Sequence, residues 1–371
     1  GIPANQVKIH SYYLGGGFGR RLDVDYIVMA VLTAREIGKS VKLLFSRQFD
    51  TKMDFTRPAT MMKLQAGMRG GKIETWISRT ACAWPSLRQN PQHLAGSPAA
   101  DSPRKQYDQF AVGGGDHWYT VANQLAVLYL NELAQDATPS GHLRSVGPGW
   151  QCFAVESFID EIAQAEGIDP LQLRLSMLDG AGRNAGQGPT TGGALRLKKV
   201  LQEVVSMSGY GKALPDDTAI GIACVPAQER EIASWTACAA RVKVNKSTGA
   251  FVVEKLSLVT EMGTLISPEG AHDQAMGGVL WGLSLATLED AKFSKGQMQQ
   301  QQFLFYPVAQ MLNVPELDIR ILQTDNLPTG AGEPATTPVA PAIANAIALV
   351  TGARVRDLPI TAAKVKAAMK T

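Results

Sequence analysis

The sequence predicts an α+β fold, and three observations carry that prediction. Period-two segments come in adjacent pairs joined by short Gly- or Asn-containing loops, which is hairpin chemistry. Helical-period segments are grouped in blocks of their own. Gly is abundant, 36 of 371 residues, which implies many tight turns or close backbone approaches.

In chain order, residues 7–13 alternate as a strand and run into Leu14-Gly15-Gly16-Gly17-Phe18-Gly19-Arg20-Arg21. With no pairing segment ahead of it, this strand leads us to expect upstream sequence or a second chain. Asp23 is the expected N-cap of a helix over 24–37, which Gly38 ends. Residues 41–45 read as a buried strand. Strands at 60–68 and 73–80 flank Gly70-Gly71-Lys72, and 83–116 read as one long loop. A helix over 152–166 is stopped by Gly167, and Asp169-Pro170 opens another through Met177. A Gly-rich loop at 179–193 precedes a helix over 195–208. Strands at 239–244 and 251–259 flank Asn245-Lys246-Ser247-Thr248-Gly249. A helix over 271–286, a strand over 317–323, a sharp turn at Gly330-Ala331-Gly332-Glu333-Pro334 and a helix over 341–350 complete the chain. We expect two regions, 1–210 and 211–371.

Composition excludes several classes. Hydrophobic residues are 45% and charged residues 19%, as in globular chains. The net charge of +3 gives no reason to expect nucleic acid as a partner. No uninterrupted apolar run approaches the ~20 residues of a spanning helix. Cys82, Cys152, Cys224 and Cys238 form no C-x-x-C spacing, and the five histidines form no paired motif. A metal held by protein side chains is therefore not expected.

Four features are candidates for chemistry. The run Gly15–Gly19 between strand and helix suits a backbone approaching an anionic cofactor, or equally a plain tight turn; Arg20 spoils the dinucleotide fingerprint. Glu333 is a lone carboxylate in a rigid apolar turn, where desolvation should raise its pKa as a general base requires; a surface turn Glu is the alternative. Gln274, ahead of Gly277 and Gly278 in early helical turns, offers donors and an acceptor to a polar ligand, or the glycines serve helix packing. Arg144 could bind phosphate or carboxylate, or be a solvated loop cation.

These features fall in a recognisable order. Gly15-Gly16-Gly17-Phe18-Gly19-Arg20-Arg21, Arg144-Ser145-Val146-Gly147, the stretch 154–161, Gln274 with Gly277-Gly278, Gly332-Glu333-Pro334 with 338–346, and 352–359 carry the likeness. Together they resemble the molybdopterin-binding large subunit of the molybdenum hydroxylases, the xanthine dehydrogenase and aldehyde oxidase family, most nearly its isoquinoline 1-oxidoreductase beta-subunit type. The resemblance implies that family's large-subunit fold, incomplete at the N-terminal side. It implies a molybdopterin cofactor, in the cytosine dinucleotide form, that ligates molybdenum itself. The implied reaction is oxidative hydroxylation of an aldehyde or N-heterocycle with water as oxygen source. Glu333 matches the family's general base. Gly16, Gly17, Phe18, Gly19, Arg144, Gln274, Gly277 and Gly278 match cofactor-lining positions. Implied partners are a chain carrying the upstream half, a small subunit holding [2Fe–2S] clusters, and a cytochrome. The implied location is periplasmic, with the cytoplasm as the alternative.

Two departures stand out. Leu22 replaces a glutamate that some purine-oxidising members carry, which argues against xanthine. The stretch 224–229 holds no glycine. The rival from another class is a non-catalytic cofactor-binding or assembly subunit, which would not need Glu333. A nicotinamide-dependent dehydrogenase is disfavoured by the failed fingerprint.

Overall fold

The computed structural model describes residues 2–98, 100–227 and 230–369. Gln228 and Glu229, part of the glycine-free stretch, and Gly1, the first residue of the expected region 1–210, lie outside the described residues.

Two sheets organise the chain. The first joins β1 (Thr60–Arg69), β2 (Lys72–Cys82) and β3 (Asn123–Leu130) in the order β1-β2-β3. β1 and β2 form the antiparallel hairpin that Gly70-Gly71 foretells, while β3 lies parallel to β2. The second sheet contains β4 (Thr218–Ala227), β5 (Ser234–Val244), β6 (Phe251–Glu261) and β7 (Glu316–Leu322) in the order β7-β6-β5-β4. β7 pairs parallel with β6, and the other neighbours are antiparallel. The β5–β6 hairpin turns where Asn245 Oδ1 accepts the N–H groups of Ser247 and Thr248.

Helices cover the second sheet on both faces. α3 (Pro148–Glu166), α4 (Pro170–Met177) and α5 (Gly193–Ser208) meet it in one apolar cluster, where Leu197 and Leu201 join Ile222 and Trp235 across residue 210. α6 (Pro268–Thr287) and α7 (Val339–Thr351) form a second cluster with Leu256, Leu258, Ile343 and Ile347. Each such buried side chain contributes about 1.5–3 kcal/mol. The stretch Pro334–Thr351 is apolar and long enough to cross a membrane by composition, yet it is 83% buried, because α7 is a core helix.

The N-terminal elements depart from expectation. Residues 7–13 and 41–45 are not strands: both are unpaired extended chain, and Ile9, Tyr12, Tyr13 and Leu44 are exposed. A strand needs a partner for its N–H and C=O groups, and the described residues offer none here. α1 (Asp25–Ile37) forms as expected and stops at Gly38, with α2 (Arg47–Met53) following it, but Asp23 does not cap α1. Asp23 instead pairs with Arg88 at 2.8 Å. α1 buries no residue: Val24, Ile27, Val28, Val31 and Leu32 all face outward. The segment 83–116 is not one loop but carries short helices at Pro85–Gln89 and Gln109–Val112. β3 was not foreseen, because Asn123–Leu130 carries no hairpin partner in sequence.

Candidate cofactor and catalytic site

The site is built where three distant segments meet at the start of α6. The Gly-rich run does not pass straight into α1. Phe18 (φ 54°) and Gly19 (φ 94°) take left-handed conformations, and a one-turn helix, Arg20–Leu22, intervenes. Only glycine fits at 19: a Cβ there would stand 1.1 Å from the His142 carbonyl oxygen. This close approach lets the Arg144 N–H donate to the Phe18 carbonyl at 3.0 Å.

Arg144 is a buried hub, not a solvated loop cation. Its Nε donates to the Gly332 carbonyl at 2.6 Å, and its Nη2 reaches both the carbonyl and Oε1 of Gln274 at 3.2 Å. Its guanidinium lies 5.9 Å from the Phe18 ring centre and 5.7 Å from that of Trp281, and those two rings meet edge to face at 5.1 Å. Burial pushes its pKa down, and the Glu333 carboxylate opposes that shift. Gly278 lies under the same guanidinium: a Cβ would stand 2.8 Å from Ala335 Cβ and 3.3 Å from Arg144 Nη2.

Glu333 opens the short helix Pro334–Thr336. Its Oε1 accepts the Ser145 N–H at 3.0 Å, and its carbonyl accepts the Ser145 hydroxyl at 2.9 Å. Ser145 is itself left-handed, at φ 70°. Glu333 borders a cavity of about 960 Å³ that Gly17, Leu22, His142, Val146 and Pro226 also line. Burial lowers the pKa of His142, favouring the neutral ring.

The structure thus joins Phe18, Gly19, Arg144, Gln274, Gly278 and Glu333 into one constellation, with Gly17 on its cavity. Gly16 (φ 130°) packs against the Phe18 ring, since a Cβ there would stand 2.6 Å from it. Gly277 faces open space on α6. Three contributors had no role in the sequence reading. Ser145 and Trp281 sit inside motif stretches without a distinguishing pattern, and Arg57, which donates to the Arg144 and Ser145 carbonyls, is a lone arginine ahead of Pro58.

Comparison with known proteins bears on this constellation. The molybdopterin cofactor-binding domain family matches residues 1–83 and, as a second unit, residues 198–315. The chain is similar to a membrane-bound aldehyde dehydrogenase [pyrroloquinoline-quinone] of Gluconacetobacter polyoxogenes, 39% identical over 98% of this chain and 47% of the relative. It is also similar to isoquinoline 1-oxidoreductase subunit beta of Brevundimonas diminuta, 29% identical over 97% of this chain and 43% of the relative. The chain belongs with the molybdopterin-binding large subunits of the molybdenum hydroxylase family. It spans about half the length of these relatives. The fold agrees: quinoline 2-oxidoreductase from Pseudomonas putida 86 superposes with TM-score 0.78 at 13% identity, over 96% of this chain and 68% of that one. Aldehyde oxidoreductase from Desulfovibrio gigas gives TM-score 0.75 at 15% identity, over 96% and 54%.

The site fits a molybdopterin. Arg144 takes the oxygen end of the Gln274 amide, which leaves its NH₂ end to serve an acceptor on a ligand. A Cβ at Gly15, Gly277 or Gly332 would meet nothing within 4 Å, so backbone at all three borders open space. Among the described residues no His, Cys, Asp or Glu cluster gathers to ligate a metal. One relative's name carries pyrroloquinoline quinone, whereas both matched domain units of this chain are of the molybdopterin cofactor-binding type.

Proposed function

We propose that the chain is the cofactor-facing part of a molybdenum hydroxylase that oxidises an aldehyde or an N-heterocycle, with water as oxygen source and Glu333 as general base. The observation that carries this reading is the carboxylate of Glu333, held at a cavity wall by the Ser145 N–H beside a glycine-lined opening. The bound cofactor, proposed to be the cytosine dinucleotide form, supplies the redox chemistry. The chain's own residues do the rest. Glu333 accepts a proton at its carboxylate. Arg144 ties Gly332, Gln274 and the Phe18 strand together, so that the base and the cofactor-facing amide move as one piece. Gly16, Gly17, Phe18, Gly19, Gly277 and Gly278 line the cofactor's place. Leu22 gives the cavity an apolar wall where a purine would need a polar partner.

Electrons leave through an iron–sulfur partner subunit and onward to a cytochrome. The outward apolar face of α1, with the unpaired segments at 7–13 and 41–45, is covered by polypeptide corresponding to the rest of the relatives' length. A periplasmic-facing location is supported by the membrane-bound label of the Gluconacetobacter relative. Regions 1–210 and 211–371 each contribute one side of the site, Phe18 and Arg144 from the first, Gln274 and Glu333 from the second.

The test is metal and nucleotide analysis of the purified complex, alongside turnover of a Glu333→Gln variant. Molybdenum with cytidine monophosphate released by acid hydrolysis supports the reading. A quinone without molybdenum overturns it.

A further inference from the structure

A second cavity, of about 740 Å³, lies behind the loop that holds Glu333. Arg57 lines it together with Trp150, Trp281, Glu289 and Tyr306. The Arg57 guanidinium makes a two-pronged contact with the back of the loop: Nη2 donates to the Arg144 carbonyl at 2.7 Å and Nη1 to the Ser145 carbonyl at 3.0 Å. These carbonyls belong to successive peptides. In a trans peptide the C=O and the following N–H point in opposite directions. Fixing the Arg144 oxygen toward Arg57 therefore turns the Ser145 N–H the other way, where it meets Glu333 Oε1 at 3.0 Å. The left-handed Ser145 then brings its own carbonyl back to the same guanidinium. That conformation is costly for a residue with a side chain and persists only where the surroundings impose it.

We propose that Arg57 is a positioning residue: it holds the 144–145 peptide so that the Ser145 N–H grips the catalytic carboxylate from the opposite face of the loop. The inference rests on the reading of Glu333 as the base, but its geometry can be tested without that reading. Three further contacts fix Arg57 itself. Its guanidinium lies 5.4 Å from the Trp150 ring centre. It packs on Gly149, where a Cβ would stand 2.3 Å from Nη1. It shares its cavity with Glu289 and Tyr306, and the charges of Glu289 and Glu333 favour its cationic form. Burial pushes its pKa down to about 10, so it is still a cation at neutral pH. A lysine cannot reproduce the fork, because a single ammonium does not span two carbonyls in fixed geometry.

The experiment compares Arg57→Met, Arg57→Lys and Gly149→Ala with the parent. Gly149→Ala displaces the guanidinium without deleting it. The first readout is amide exchange by mass spectrometry on peptides spanning 143–150 in cofactor-free protein, which needs no turnover. Arg57→Met and Gly149→Ala should exchange faster there and not in α5. The second readout is steady-state kinetics of the holoenzyme on benzaldehyde and isoquinoline. Losing one charge-assisted hydrogen bond to the base should lower kcat about tenfold to a hundredfold, with KM little changed. Arg57→Lys should fall between. The third readout is the acidic limb of kcat. Removing a donor and a cation disfavours the carboxylate, so the limb should move to higher pH. The charges of Arg57 and Arg144 act on Glu333, with Arg21, His93, Asp116, His142, Arg183 and Glu231 on the same cavity; all but Arg57 keep their identity in these variants.

Unchanged exchange in 143–150 together with an unmoved limb would overturn the proposal and leave Arg57 as scaffold. If Arg57→Met fails to fold, Arg57→Lys and Gly149→Ala carry the same test. A parallel Glu333→Gln variant separates the two ideas. If it keeps full turnover the base assignment fails, while the exchange readout still decides Arg57.

Discussion

Replacing Glu333 by Gln removes a proton acceptor and almost nothing else. Oε1 accepts the Ser145 N–H at 3.0 Å, and a glutamine amide oxygen accepts the same bond from the same place. The Glu333 carbonyl keeps the Ser145 hydroxyl, and the Gly332 carbonyl keeps Arg144. The turn therefore retains its backbone contacts, and cofactor loading should be unchanged. What is lost is general-base catalysis, typically ~10²–10⁴-fold. That corresponds to about 3–5 kcal/mol on the barrier. The assay is kcat of the intact complex on benzaldehyde and isoquinoline with a dye acceptor, with molybdenum content and thermal midpoint measured on the same preparations. The parent should lose activity as pH falls and the carboxylate takes up its proton, and the variant should lack that limb. Turnover near the parent's with a full metal complement would make Glu333 a turn residue, and the proposed mechanism would fall.

Other predictions address stability and assembly. Burial raises the pKa of Glu261, but the Arg196 fork at 2.5 and 2.8 Å, the Thr324 hydroxyl and the Gly263 N–H outweigh it, and the net shift is downward. A carboxylate held below its unfolded value stabilises the fold above that value and ceases to as pH falls through its folded one. Glu261→Gln should therefore cost about 1–3 kcal/mol at neutral pH, with melting curves converging on the parent's in acid. Arg174→Met should cost about 3–5 kcal/mol in chemical denaturation, because it strands the Glu156 carboxylate, 2.9 Å from Arg174 Nε, in the core. A mutant as stable as the parent would show that the Tyr119 and Cys224 donors suffice for Glu156. Native mass spectrometry of the 39.7 kDa chain expressed alone should show no active monomer, and a stable active one would refute the cover proposed for α1.

The parts of the fold that were legible share a local cause. The hairpins β1–β2 and β5–β6 are set by Gly70-Gly71 and by the Asn245 side chain, both within a few residues of what they organise. Helices α3 and α4 end or begin at Gly167 and at Asp169, whose carboxylate accepts the Gln172 N–H. β3 was missed because a parallel strand receives its partner from 48 positions away in the register Thr75 to Asn123, which no local pattern records. The strands expected at 7–13 and 41–45 failed for the converse reason: alternation states a preference, and pairing requires a neighbour. At the proposed site, the glycines and Glu333 drew notice because their residue types are unusual in context. Arg57 was not, because its role is defined by two carbonyls 87 and 88 residues away.

The remaining choice is between an enzyme and a subunit that only carries a cofactor, and the backbone speaks to it. Among the described residues three non-glycine positions have positive φ: Phe18, Ser145 and Lys295. Two of the three lie in the constellation, and they are the two that touch the Arg144 peptide. A carrier needs the glycine-lined opening and the Gln274 amide, and neither depends on Ser145 being left-handed. The left-handed Ser145 turns its carbonyl to Arg57 while its N–H meets a carboxylate on a cavity wall and its hydroxyl the carbonyl of the same residue. Left-handed residues cost free energy and survive where the surroundings impose them and the geometry has a use. A Ser145→Gly variant separates the cases. Glycine adopts that φ without penalty and keeps the N–H, so an enzyme should retain its acidic limb and most of its kcat. Ser145→Pro fixes φ negative and deletes the N–H, and it should lose both. If Ser145→Pro retains turnover in a folded, metal-loaded complex, the grip on Glu333 is incidental; a parent complex that is folded and metal-loaded yet turns over neither substrate would favour the carrier.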